Sequence, residues 1–401
     1  MASTSPQAAS RAKAPVTPAV LVWARTRAQM SEVEAAKRLK VPQSTLLAWE
    51  GGIAQPSLAQ ARRLAKLYRR PLAVLFLPEP PKTFDALQSF RRVHGAPDVI
   101  SPSAALQIQE ALERRETLID LARDTGSELK PFALSTSVKR PAATAAAQAR
   151  EKLGIETADQ FRWQDAREAL NSWRAAIERL DVLVFQLSRV KIEELRGVSI
   201  HQDVVPVIGI NAADSPTGRI FSLAHELGHL ILGIGELCIP EDESASADND
   251  VEVWCNEFAG SLLVPASALL ETAEVSQART DPFGAASSLA ARFRVSQEVV
   301  LRRFLTLERF SRRQYQLWRQ AQGRFEDWQR PAPRAGKGGP SPDVKVLANF
   351  GRPYVRTVLE ALQQDKITLS EATGFLGLKF KHFSKVQNRL AAAEGEAGAE
   401  Q

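Results

Sequence analysis

The segment RIFSLAHELGHLILG (219–233) constrains this chain more than any other feature. Its apolar residues are spaced for a buried helix. On a helix, residues four apart share one face, so His225 and His229 can turn both imidazoles toward a single ion. Glu226 follows the first histidine, which sets a carboxylate beside that ion. A group so placed can act as general base on a water molecule. The chain has five histidines (His94, His201, His225, His229, His382), and this is the one pair at ligand spacing.

A hydrolytic zinc site needs three protein ligands and one open position. The next apolar-periodic stretch, VEVWCNEFAGSLLVP (251–265), carries Val251, Trp254, Phe258 and Leu262 on one face. Glu252 and Asn256 lie one turn apart on another. Glu252 is the preferred third ligand, with Asn256 placed to steady it; spacing leaves Asp248 and Glu257 open as rivals. Cys255 reads as a small buried residue. His201 is a candidate for stabilising an oxyanion. Zinc is the expected ion, with manganese the alternative.

The charge is uneven. Residues 1–75 hold twelve Lys and Arg against three acids, a surplus of nine, while the whole chain is +6. A basic head on a slightly acidic body is the pattern of a nucleic-acid-binding module. Within that head, Ser31 and Glu34 fit a capping box opening a helix at SEVEAAKRL. Lys40-Val41-Pro42 fits a tight turn, and QSTLLAWEGG a second short helix. Two short helices across such a turn make a helix-turn-helix. Gln43, Ser44 and Thr45 then stand where base edges are met, with Arg25, Arg27, Lys40 and Arg62 as phosphate contacts. Leu39, Val41, Leu46 and Trp49 fill its core.

The fold class expected is mainly α with a small β-sheet. A tail covers 1–17, the helix-turn-helix domain 18–77, a helical connecting region 83–182 and the metal-site core 183–310. A Pro/Gly linker covers 329–343, a C-terminal helical unit 344–391 and a tail 392–401. VLVFQL (182–187) and VVPVIGIN (204–211) are the expected strands. No run of eighteen apolar residues predicts a membrane span, and the N-terminus lacks the apolar run of a signal peptide. With only Cys238 and Cys255, a disulfide framework is not expected; a reducing cytoplasm fits.

These motifs together resemble the ImmA/IrrE metallo-endopeptidases, in the form fused to an N-terminal Cro/repressor-like helix-turn-helix. LVWARTRAQMSEVEAAKRLKVPQSTLLAWEGG resembles the fused head, while RIFSLAHELGHLIL and EVWCNEFAGSLLVP resemble the peptidase core. That family's second element is E-x-x-A-N-x-F-A, so the resemblance puts the third ligand on Glu252 and finds Cys255 where alanine is usual. It implies a zincin-like domain and a regulatory role. The expected partners are a double-stranded DNA operator and a repressor protein as substrate, with self-cleavage and a homodimer also among the expectations.

Overall fold

The computed structural model describes residues 13–80, 101–234, 237–238, 249–322 and 339–398, apart from 29, 69, 71, 279 and 310. Residues 1–12, 83–100, Asp248 with most of its acidic loop, and the linker up to 338 therefore lie outside the described residues. The chain divides into two compact units, residues 1–92 with 97–110, and 93–96 with 111–401.

Local capping explains the helices of the first unit. It holds α1 (Pro18–Arg27), α2 (Glu32–Leu39), α3 (Gln43–Glu50), α4 (Leu58–Leu67) and a 3-10 turn at Leu72–Phe76. Ser31 accepts the Glu34 backbone N–H, which starts α2. The Glu34 carboxylate pairs with Arg38 at 2.7 Å, and the full reciprocal box forms at Ser57 and Gln60 instead. Lys40 ends α2 in the left-handed region, φ 58° and ψ 46°, and the chain turns directly into α3. Leu21, Leu46, Leu64 and Tyr68 are fully buried in the shared core. The expected tail is shorter than 1–17. Ala14 and Val16 are buried, and Ala14 donates to Pro56 O and Thr17 to Leu75 O, because these backbone groups find partners on the helices.

The second unit is built around a four-stranded sheet. The long α5 (Pro102–Thr125) precedes it, and α6 (Ala142–Leu153), α7 (Thr157–Arg162) and α8 (Ala166–Glu178) lead in. Then come β1 (Leu183–Leu187), β2 (Gly197–Ile200), β3 (Val207–Asn211), α9 (Pro216–Ile231), β4 (Leu237–Cys238) and α10 (Asn249–Leu263). The strand order is β1-β3-β2-β4, with β1 parallel to β3 and β2 antiparallel to both β3 and β4. The expected strands are β1 and β3. Strands β2 and β4 are four and two residues long, too short to print an alternating pattern. The short α11 (Ala266–Leu270) and α12 (Glu274–Gln277) follow, then α13 (Pro282–Phe293), α14 (Gln297–Thr306) and α15 (Arg312–Gln322). Trp173, Phe258, Phe293 and Phe304 anchor the common core.

The C-terminal helices are α16 (Pro342–Phe350), α17 (Arg352–Gln363), α18 (Leu369–Leu376), a 3-10 turn Phe380–His382 and α19 (Phe383–Gly398), so helix replaces both the end of the expected linker and most of the expected tail. They are docked on the sheet. Arg174 of α8 donates to Val184 O in β1 and to Ala348 O in α16, and pairs with Glu178 at 2.8 Å. Glu178 also accepts the Arg352 backbone N–H at 3.3 Å. Burial raises the Glu178 carboxyl, outweighing the opposite pull of the Arg174 guanidinium. An edge strand is thereby covered rather than left open.

Candidate metal centre

Helix α9 begins where Ser215 caps the Gly218 N–H and Pro216 takes the first turn. From Ser222 to Ile231 every residue is buried. Such a helix exposes its chemistry only inside the protein. His225 and His229 sit one turn apart with their Nε2 atoms 3.0 Å from each other. Glu252, in the first turn of α10, brings Oε2 to 3.3 Å from His225 Nε2 and Oε1 to 3.3 Å from His229 Nε2. Among the described residues these three form the group able to hold a metal ion. Tetrahedral donors about 2.0–2.2 Å from one ion stand about 3.3–3.6 Å apart. The two carboxylate–imidazole distances of 3.3 Å meet that spacing and the imidazole pair, at 3.0 Å, is slightly closer, so the donor set suits a small divalent metal ion such as zinc. His225 and His229 are buried, and Glu252 is half-exposed on the open flank.

Charge in the cluster is self-consistent. Burial alone would raise the Glu252 carboxyl, but hydrogen bonds and charge from His225 and His229 outweigh it and hold it far below the usual range. Glu226 is fully buried, and burial pushes its carboxyl up to about 7 against the pull of His229, His225 and Ser199. Its neighbour is β2. A Cβ added at Gly197 would lie 2.4 Å from Glu226 Oε1, so only glycine leaves space for the carboxylate there. Gly197 and Ser199 are site residues that the sequence reading missed. The available signal was a glycine in a short β-prone run, GVSI.

Gly228 lies where α9 and α10 pack against each other. A Cβ there would meet Phe258 Cδ1 at 3.2 Å and Cys255 Sγ at 3.3 Å, so it lets α9 and α10 approach rather than clearing space at the ion. Cys255 is fully buried, as expected of a packing residue. Asn256 is half-buried one turn beyond Glu252, and Glu257, the described rival ligand, is outside the trio. His201 follows β2 near Gly233, past the end of α9, and the structure does not bring it into the cluster.

The far end of α10 is fixed by buried polar groups. Arg150 donates to Leu262 O at 2.6 Å, Gln160 to Leu263 O at 2.9 Å and to Phe293 O at 2.8 Å, and Arg303 to Val264 O at 3.0 Å. Two guanidinium groups thus meet the carbonyls of a helix C-terminus, where the dipole favours cations.

In the first unit, Gln43 and Ser44 are exposed at the start of α3, Thr45 is half-buried, and Lys40 is exposed on the turn. Arg25 is a correction. Its guanidinium lies largely inside, with Nε and Nη2 donating to Glu50 at 2.8 and 2.9 Å and Nη1 to Met30 O at 3.1 Å. A buried carboxylate on α3 competes for it better than a solvated phosphate would, so it ties α1 to α3 instead.

Fold and site define a class: a helix-turn-helix head carried on the same chain as a helical domain with a His-His-Glu metal trio. Residues 177–305 match the model of the IrrE N-terminal-like domain, a metallopeptidase family, and residues 21–75 match that of a helix-turn-helix domain. The chain is a fusion of these two kinds of domain, a DNA-binding head and a peptidase-family body. A search of curated proteins finds no match. Among the described residues, no helix is long and apolar enough to cross a membrane.

Proposed function

We propose that this protein is a zinc-dependent regulatory endopeptidase that controls transcription by cutting a helix-turn-helix repressor, or itself, in a stress or mobile-element response. The observation carrying it is the convergence of His225 Nε2, His229 Nε2 and Glu252 within 3.3 Å of one another, with Glu226 beside them. A zinc ion held there supplies Lewis acidity toward water and toward a peptide carbonyl. Glu226 accepts the water's proton on its carboxylate and hands it to the leaving amine; its burial and raised proton affinity suit that shuttle. Asn256 steadying Glu252 belongs to the same proposal, as do Gln43, Ser44, Thr45 and Lys40 meeting an operator.

Purified protein with zinc should cleave a co-encoded helix-turn-helix repressor. Glu226→Gln should keep stoichiometric zinc and lose about 100- to 10,000-fold in cleavage rate. Cleavage unchanged in that variant, or none of any repressor or of the chain itself by the wild type, overturns the reading. One observation favours a second reading, a regulator whose peptidase-like domain only senses a ligand or metal: Glu226 and His229 are fully buried and His225 nearly so. Under it, zinc alters operator binding and Glu226→Gln changes nothing.

A further inference from the structure

The C-terminal helices repeat the geometry of the head. Thr368 caps α18 as Ser31 caps α2, each accepting the N–H of a glutamate three residues on, Glu371 and Glu34. Ala372 and Leu376 are buried in step with Ala35 and Leu39. Gly377 then takes the left-handed turn at φ 57° and ψ 27°, where Lys40 has φ 58° and ψ 46°. Beyond the turn, buried Phe383 and Val386 stand in step with buried Leu46 and Trp49. The cap, the buried positions and the left-handed turn of the head's two-helix motif thus have counterparts at the same spacing, with the 3-10 turn Phe380–His382 leading into the second helix.

This geometry does not by itself make a binding surface. The pair α13 and α14 has the same kind of cap, left-handed turn and second helix behind a longer first helix, turning at Arg294 with φ 58° and ψ 36°. There Val299 and Leu301 are buried, so the second helix is spent on the core. In the C-terminal motif the corresponding His382 is half-buried and Ser384 exposed, and Phe380, Lys381 and Lys385 are exposed as well. Lys379, Lys381 and Lys385 face no acid on their own segment, since none occurs between Glu371 and Glu394. Arg389 is held by Asp343 and is not counted with them. Phe380, 61% exposed in the 3-10 turn that leads into the second helix, is a ring of the kind that meets a thymine methyl.

We propose that residues 368–390 form a second helix-turn-helix that binds double-stranded DNA, with Lys381 and Lys385 on phosphates and Phe380 at a base edge. The charge selects this partner: the stretch 379–385, with three exposed lysines and no carboxylate from residue 372 to 393, matches a polyanion. The proposal does not depend on cleavage by the metal site.

The test uses the full chain and short duplex DNA, titrated by fluorescence anisotropy over a series of salt concentrations. Lys381→Ala/Lys385→Ala should weaken binding and reduce the slope of log affinity on log salt by about two, with the thermal midpoint unchanged. Lys381→Arg/Lys385→Arg should restore both. Duplex DNA should also protect these two lysines from acetylation in the wild-type protein, a measurement independent of any variant. Affinity and slope unchanged in the alanine variant, no protection, or a preference for single-stranded RNA over the duplex would each overturn it.

Discussion

Glu226 shows what a single residue's surroundings decide. Its carboxyl is ionised above about 4.5 in an unfolded chain but keeps its proton to about 7 in the metal-free fold. Between those values the folded state holds the extra proton, so stability falls as pH rises across that window. The metal-free thermal midpoint should therefore drop from pH 5 to pH 7 more in the wild type than in Glu226→Gln, as scanning calorimetry would read. Gly197→Ala is the complementary change. Its new methyl overlaps Glu226 Oε1, so cleavage should fall at least tenfold while zinc content stays at one per chain. The histidine pair and Glu226 were legible in the sequence because their spacing acts within one helix. Gly197 was not, since its role exists only where β2 meets α9.

At the scale of elements, the metal trio depends on the contact between α9 and α10. The two helices carry its ligands separately, and Gly228 sets how closely they approach. Gly228→Ala must push against Phe258 and Cys255. The expected cost is about 1–3 kcal/mol in chemical denaturation, with weaker zinc affinity because Glu252 moves away from both histidines. At the other end of α10, Gln160 satisfies two buried carbonyls at once. Helix α10 was readable from its apolar stripe, yet the choice among acidic ligands was not, because period alone does not say which face meets a neighbouring helix. Arg25 failed for the same reason: a cation beside a recognition helix looks like a phosphate contact until Glu50 folds against it.

At the scale of the molecule, each unit has its own apolar core. Under the proposed function zinc binds the second, so chelation should lower only that unit's unfolding transition, by about 2.7 kcal/mol relative to zinc at one hundred times its Kd. A uniform shift of both transitions, or none, would contradict this. The C-terminal helices depend on the buried pair Arg174 and Glu178. Arg174→Met strands the carboxylate in the interior and should cost about 3–5 kcal/mol, with residues 344–391 becoming sensitive to limited proteolysis.

The sequence alone determined what lives within single helices: the candidate ligands and base of HELGH, the turn at Lys40, the basic head and the predominance of helix. Those features follow from local spacing and capping, which the chain carries wherever it goes. Tertiary structure decided what required two segments to meet. It brought Glu252 to the histidines, gave Gly197 its place beneath Glu226, tied Arg25 to Glu50, and laid the C-terminal helices on β1 instead of leaving them as a separate unit. The reason is that burial and pairing depend on which surfaces come together, and a one-dimensional pattern fixes a residue's face but not its neighbour.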